Sequence, residues 1–279
     1  MTKVDLIGEA VLDFYKTLPF NVSANPETIA QHIYSENQAL QYPPLHRLAL
    51  PNRRVLDVGC GGGWLSNTLA YHQKSDVTGI DFNPVAIDFA CKVAEELDVA
   101  TKFEIADLFD YQAEPYDLIA SVGVLHHTSD CEGAIIRLAK ELLKPGGFIF
   151  IGLYHAHGRK PFLEHFSKLK KQGVSDEDLL SHFKAMFGQQ AIDDTHLDSW
   201  FRDQVLHPHE TQHTIADLLP VLETARLELI TSSVNGYRQN ENIEAYRSQE
   251  LMLENVAKER ILANEYYPGF FTILARKIR

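Results

Sequence analysis

Between residues 54 and 154 the hydrophobic positions alternate between two periods. Short, nearly continuous apolar runs at residues 54–59, 77–82, 102–106, 116–125 and 147–154 read as strands buried on both faces. Between them the spacing turns helical. Asn83-Pro84 offers a capping side chain and a proline suited to the first helical position, and Val85, Phe89, Val93 and Leu97 then recur every four residues. Ile135, Leu138 and Leu142 form a second stripe, ended by Pro145-Gly146-Gly147. Further along, Thr214 with Asp217 has the form of a capping box that opens a helix reaching about Ala225. Residues 227–234 and 269–276 read as strands, with a helix over 241–264 between them. The pattern predicts an α/β fold, a doubly wound and mostly parallel sheet of seven strands with helices on both faces.

Two segments stand outside the alternation. Residues 1–53 look helical (Leu6, Val11, Phe14) and precede the first strand. Residues 155–213 intervene after the fifth strand, with Ser175 and Asp178 capping a helix inside them. Extra chain at these points falls over the carboxyl edge of the sheet, where open α/β folds bind ligands. The expected organisation is a helical cap over 1–53, a core over 54–154, an inserted helical lid over 155–213 and the rest of the sheet over 214–279, all in one compact domain.

Composition narrows the partners. The 279 residues are 45% hydrophobic and 23% charged, ample for a sizeable core, and carry a net charge of -12. A grip on a phosphate backbone needs a basic face, and the only short basic run is Lys168, Lys170 and Lys171, so no nucleic-acid partner is expected. Cys60, Cys91 and Cys131 are scattered, which implies neither a disulfide framework nor a zinc knuckle. No stretch approaches the length of a membrane span, and residues 1–10 do not look like a signal peptide. A cytoplasmic protein without a membrane partner is expected, as a monomer or a homodimer.

The sharpest chemical signal is Val55-Leu56-Asp57-Val58-Gly59-Cys60-Gly61-Gly62-Gly63-Trp64, a strand running through a glycine turn into a helix. Dinucleotide-binding loops share the glycines, but Trp64 stands where the third dinucleotide glycine would allow close helix–strand packing. That argues against a nicotinamide oxidoreductase, and Asp57 suits a cationic ligand better than a diphosphate. Asp81 ends the second strand, where a carboxylate can accept both hydroxyls of a ribose. Asp107 follows the third strand, in Ala106-Asp107-Leu108-Phe109, where it can accept from an adenine amino group.

In this order, the motifs VLDVGCGGG, GIDFNP, ADLF, SVGVLHHT and LKPGG resemble those of the class I S-adenosylmethionine-dependent methyltransferases, over about residues 50–154. The resemblance implies S-adenosylmethionine as cofactor and S-adenosylhomocysteine as product. By position it implies Asp57, Gly59, Cys60, Gly61 and Gly63 around the methionine portion, and Asp81 on the ribose. Phe82, Asp107 and Leu108 would flank the adenine, with Val122 to Val124 near the methyl group. It also implies a seven-stranded sheet whose last strand is antiparallel.

Methyl transfer from a sulfonium is an in-line displacement served mainly by positioning, with a base needed where the acceptor is protonated. His126 and His127, after the fourth strand, are candidates for that base, as are Tyr154 and His155 after the fifth. Arg159 and Arg202 are candidates for an anionic group on the substrate. His207 and His209, in the dense run 200–213, are further candidates for substrate contacts. Tyr15, with Phe20 and Tyr34, is a candidate to close the pocket. His207, His209, His213 and Glu210 hold metal-ligand types, but the His-Pro-His segment is extended and no cysteine joins it, so no metal is expected. The expected function is methyl transfer to an oxygen or nitrogen of a small molecule, natural-product-like or sugar-like. The alternatives are a tRNA or protein methyltransferase, or a protein that binds S-adenosylmethionine without transferring its methyl.

Overall fold

A computed structural model of the chain describes residues 3–238 and 242–279. Its strands are β1 (Arg54–Val58), β2 (Asp76–Asp81), β3 (Lys102–Ile105), β4 (Tyr116–Val122), β5 (Leu143–Tyr154), β6 (Leu227–Ser232) and β7 (Phe270–Lys277). They form one seven-stranded sheet in the order β3-β2-β1-β4-β5-β7-β6. The first five pair in parallel, and β7 runs antiparallel to both β5 and β6. The expected mostly parallel sheet with an antiparallel last strand is what the chain forms. Strand order reverses between β1 and β4, so a crevice opens beyond their carboxyl ends.

The central strands are buried on both faces because each face carries helices. Leu56, Ile119 and Ile149 pack against Ile135 and Leu138 of α6 (Cys131–Arg137) and its π-helical continuation (Leu138–Leu142), and against Leu218 of α10 (Ile215–Thr224). Val55, Leu118 and Phe150 face Leu65 and Leu69 of α4 (Trp64–Gln73) on the other side. Strand β3 departs from the expectation. It is an edge, and Ile105 is 61% exposed.

Local chemistry sets the boundaries. Asn83 caps α5 (Pro84–Leu97) by accepting from the Val85 amide, and Thr214 and Asp217 complete a reciprocal capping box on α10. The four-residue stripe on α5 drifts against 3.6 residues per turn, so its register is only half right. Val93 and Leu97 are buried, but Val85 is 47% exposed, and Ala86, Ile87, Ala90 and Ala94 complete the buried face. Strand β4 stops at Val122, three residues earlier than expected, because Gly123 turns with φ +83° into a 3-10 turn over Leu125–His127. Strand β5 begins at Leu143, ahead of the Pro-Gly-Gly. Its pairing jumps from Tyr116↔Leu143 to Leu118↔Phe148, so residues 144–147 bulge out of register instead of lying before the strand.

Ahead of β1 lie α1 (Lys3–Thr17), α2 (Pro26–Ser35) and α3 (Pro43–Leu48). After β5 come α7 (Ala156–Lys171), α8 (Asp176–Phe187), α9 (Asp194–Phe201) and a π-helical turn (Arg202–Leu206). The chain leaves the sheet at His155 and returns at His213, which pair as an isolated bridge. Phe162, Phe166, Phe183, Phe187 and Phe201 give this excursion its own aromatic core. Helix α7 packs along α11 (Ile243–Leu262), while α8 and α9 carry Phe187 and Trp200 to the crevice. The helix expected over 241–264 is α11, and Glu241 lies outside the described residues. Among the described residues no helix is long and apolar enough to cross a membrane.

Candidate active site

The crevice is a cavity of about 1210 Å³ that runs from the glycine turn, past the ends of β2, β3 and β4, to the underside of α1 and the insertion. At one end the backbone shapes it. Gly59, Gly61 and Gly63 all have positive φ (70°, 51° and 78°). A Cβ on Gly59 would lie 2.4 Å from Val124, and one on Gly63 would lie 2.7 Å from Ala90, so no other residue fits either place unstrained. Asp81 fastens this turn to the next helix. One carboxylate oxygen accepts from the Gly61 amide and the other from the Asn83 amide, each at 2.9 Å. Burial pushes its pKa up, and those two amide bonds oppose the rise. Asp81 lines the cavity with lone pairs to spare, beside Phe82, Asp107 and Leu108.

At the other end the site is made of side chains. His127 Nδ1 lies 2.9 Å from the His209 carbonyl. A carbonyl only accepts, so Nδ1 carries the proton and Nε2 keeps its lone pair. Nε2 is buried, has no hydrogen-bond partner and lies 3.7 Å from Asp203 Oδ1. Burial, the largest effect, pushes the His127 pKa down to about 4, so the ring is a neutral base at pH 7. Asp203 is the hub. It accepts from the Tyr15 hydroxyl of α1, from Tyr154 Oη of β5 at 3.2 Å and from Gln204 Nε2 at 2.7 Å. Gln204 also donates to Tyr154 Oη at 2.6 Å. The π-helical turn carries Asp203 and Gln204, and such turns re-aim side chains that a regular helix would send elsewhere.

Residues 50–184 match a family model described as a methyltransferase domain. Ubiquinone biosynthesis O-methyltransferase of Xylella fastidiosa (strain M23) is 42% identical over 108 residues, which are 38% of this chain and 43% of that protein. Its counterpart in Acinetobacter baylyi is 31% identical over 131 residues, covering 41% of this chain and 54% of the relative. The chain thus spans about half the length of the curated relatives it matches. Among solved structures, magnesium protoporphyrin IX methyltransferase from Synechocystis PCC 6803 with bound SAH superposes with a TM-score of 0.53 at 16% identity, over 98% of this chain and 97% of that one. Residues 50–184 thus match a methyltransferase domain, set in a fold shared with that structure.

Within this methyltransferase domain the expected cofactor residues divide by depth. Gly59, Cys60, Gly61, Asp81, Phe82, Asp107, Leu108 and Val122 line the cavity. Asp57 and Gly63 do not. Asp57 is buried beneath the turn, where it accepts from Ser66 Oγ at 2.6 Å and burial pushes its pKa up to about 7. Gly63 caps α4 and packs against α5. Both support the turn from below instead of facing a ligand.

The candidates for chemistry are thinned further. Tyr154 and His127 line the cavity, and Tyr15 covers them. His126 does not reach it. It is fully buried against the Tyr154 ring at 4.1 Å, with neither ring nitrogen hydrogen-bonded. His155 faces away from the cavity. Its Nδ1 caps α7 and its Nε2 lies 3.0 Å from Glu250. Arg159 is fully buried, paired with Glu210 at 2.8 Å and bonded to Gln204, so it cannot meet a substrate anion. Arg202 donates to the Phe14 carbonyl and Thr17 Oγ1, tying α1 to the insertion. His209 braces His127 through its carbonyl and points its ring at the Thr128 carbonyl. His207 stacks on His127 with centroids 3.7 Å apart. Tyr34 is exposed beside Tyr71, away from the cavity.

His127, Asp203 and His207 hold atoms of metal-ligand type within 4.8 Å of one another. The tautomers oppose a metal there. The His209 amide donates to His207 Nδ1 at 3.1 Å, so the proton of this neutral ring sits on Nε2 and no lone pair is left for an ion. Asp203 and Gln204, the two residues that organise this end, carried no signal of their own in the sequence beyond lying in the dense run 200–213.

Proposed function

We propose that the chain binds S-adenosylmethionine and moves its methyl group to a hydroxyl oxygen of a small molecule, with His127 as the base. The observation that carries this reading is one continuous cavity with a glycine turn and Asp81 at one end and a neutral, unpartnered histidine nitrogen at the other. The O-methyltransferase names of the curated relatives support oxygen as the acceptor. The residues at the turn fit the cofactor. A Cβ on Gly61 would be 3.8 Å from its nearest neighbour, so backbone there is open to close approach, and the Asp81 carboxylate stands ready for a diol. When bound, the cofactor supplies an electrophilic methyl on a good leaving group.

The chain's own residues supply the rest. The walls exclude water and hold the acceptor in line. His127 Nε2 takes the hydroxyl proton as the oxygen becomes the nucleophile. Asp203, 3.7 Å from that nitrogen, stabilises the imidazolium that forms, and the His209 carbonyl keeps the ring in the required tautomer. Titration calorimetry with S-adenosylmethionine, S-adenosylhomocysteine and NADH tests the cofactor. Binding of the first two but not the third is expected. Labelled-methyl transfer to a panel of phenols and amines tests the reaction, with label on oxygen as the expected result.

A further inference from the structure

We propose that the acceptor is an uncharged hydroxylated ring compound, and that a carboxylate, phosphate or sulfate on it excludes it from the site. This rests on the methyltransferase reading above and adds the charge and shape of the substrate.

The first observation is a one-sided charge inventory. Among the described residues that line the cavity there is no lysine and no arginine, but there are Glu9, Asp81, Asp107, Asp110 and Asp203. Of these acids Asp203 stands at the acceptor end, and an anion brought there would lose its water and find no lysine or arginine in the wall to pair with. The second is that nearby cations are spent. Arg159 is sealed by Glu210 and Gln204, and Arg202 is turned onto the backbone of α1. Three histidines line the wall: burial holds His127 and His196 down to about 4, so neither carries charge at neutral pH, and His32 is exposed at the rim.

A cationic acceptor is disfavoured by a third observation. Asp203 is the acid nearest the base, and it already accepts from Tyr15, Tyr154 and Gln204. Oδ1 accepts from Tyr15 alone, and the capacity left on it lies beside His127 Nε2, so little is left for an ammonium group. Glu9 and Asp110 are exposed and stand at the rim in solvent. The wall on the insertion side is rich in aromatic rings. Trp200 lies between Phe20 and Phe187, with centroids 4.9 and 5.2 Å away, and Tyr266 and Phe270 continue the surface toward Tyr154. Ring faces of this kind hold a flat apolar body, while His127 Nε2 offers its lone pair to a hydroxyl at the end of it.

The test uses matched probes on the full chain saturated with S-adenosylhomocysteine. Each set shares one hydroxylated ring and differs in charge: 4-methylcatechol, 3,4-dihydroxybenzoate and dopamine, then the same series on a naphthalenediol. The first set in which any member binds decides. The uncharged member is expected to bind about tenfold or more tighter than its carboxylate partner, the penalty of an unpaired buried charge. A carboxylate or ammonium member binding tightest overturns the proposal. A variant checks the cause. Ser129→Arg puts a cation into the wall beside Thr128, and the disadvantage of the carboxylate should then shrink or reverse; an unchanged ratio would mean that charge does not set the selection. Binding is read without turnover. An uncharged probe that binds but accepts no methyl would therefore count against the transfer reading and leave the substrate class standing.

Discussion

The two ends of the cavity are built in opposite ways. The cofactor end is backbone. It consists of glycines at positive φ, amides fastened by Asp81, and a neighbouring strand that supplies the Ile80 carbonyl to Gly59 and Cys60 at 2.8 and 3.0 Å. The acceptor end is side chain. Tyr15, His127, Tyr154 and Asp203 come from four segments, and the Tyr15–Asp203 bond joins residues 188 apart in the chain. The first end depends on what a short stretch of chain cannot avoid doing. The second exists only once the whole fold has closed.

The contrast predicts opposite responses to pH, and this should be the largest effect. His127 and His207 are held near 4 and 3 against an ordinary 6.5. Between those limits the unfolded chain binds more protons at these two residues, so the stability that His127 and His207 contribute is full above pH 6.5 and is lost as pH falls toward 4. Asp57 is raised from 3.8 to about 7, so the folded state binds more protons in that window and stability from the cofactor end falls as pH rises through it. Hydrogen exchange, corrected for intrinsic rates, at about pH 5 (inside the histidine window) and about pH 7.5 (just above the Asp57 window) should show the amides of α1 and α9 opening faster at the lower pH and those around Asp57 at the higher. Parallel changes in both regions would erase the distinction.

Replacing His127 with alanine should lower the transfer rate about 10²- to 10⁴-fold, the usual reach of a general base, and leave S-adenosylhomocysteine affinity unchanged. Loss of both together would assign His127 to the scaffold. Asp81→Ala should do the reverse. It removes charged acceptors for two amides and the diol, and should weaken the cofactor about 100-fold by calorimetry. Gly63→Ala forces a Cβ to within 2.7 Å of Ala90 at φ 78° and should cost about 1–3 kcal/mol in denaturant unfolding. Tyr15→Phe removes one donor from Asp203 and should cost about 1 kcal/mol, seen as faster proteolysis of α1 and a raised KM for the acceptor with cofactor affinity intact.

The same contrast explains what could be read from the sequence. The seven strands, the glycine turn, the cap at Asn83 and the capping box at Thr214 follow from neighbours a few residues apart, so they were legible. Strand ends were less so: Gly123 stops β4 early, and the Pro-Gly-Gly becomes a bulge inside a strand pair, a matter of register with Tyr116 that no local pattern contains. At the acceptor end, residue types pointed to the right segments but not to directions. Adjacent histidines differ: His127 faces the cavity and His126 is packed behind Tyr154. Arg159 and Arg202 suited an anion by type and are consumed by Glu210 and by α1. Asp203 was invisible because a π-helical turn, not a sequence period, aims it inward.

The strand order carries a consequence for synthesis. Strands β1 to β5 follow one another from the ribosome and can pair as they emerge, but β6 finds no partner among them. Its neighbour is β7, which is made later and must enter between β5 and β6. Until residues 270–277 are available, β5 presents an open row of amides and carbonyls, an edge that other chains can capture. Phe270 arrives with that strand and completes the floor beside Tyr154. The nascent chain can therefore shape the glycine-turn half of the cavity while the acceptor half still lacks Tyr266 and Phe270, and chaperone protection should matter most in that interval.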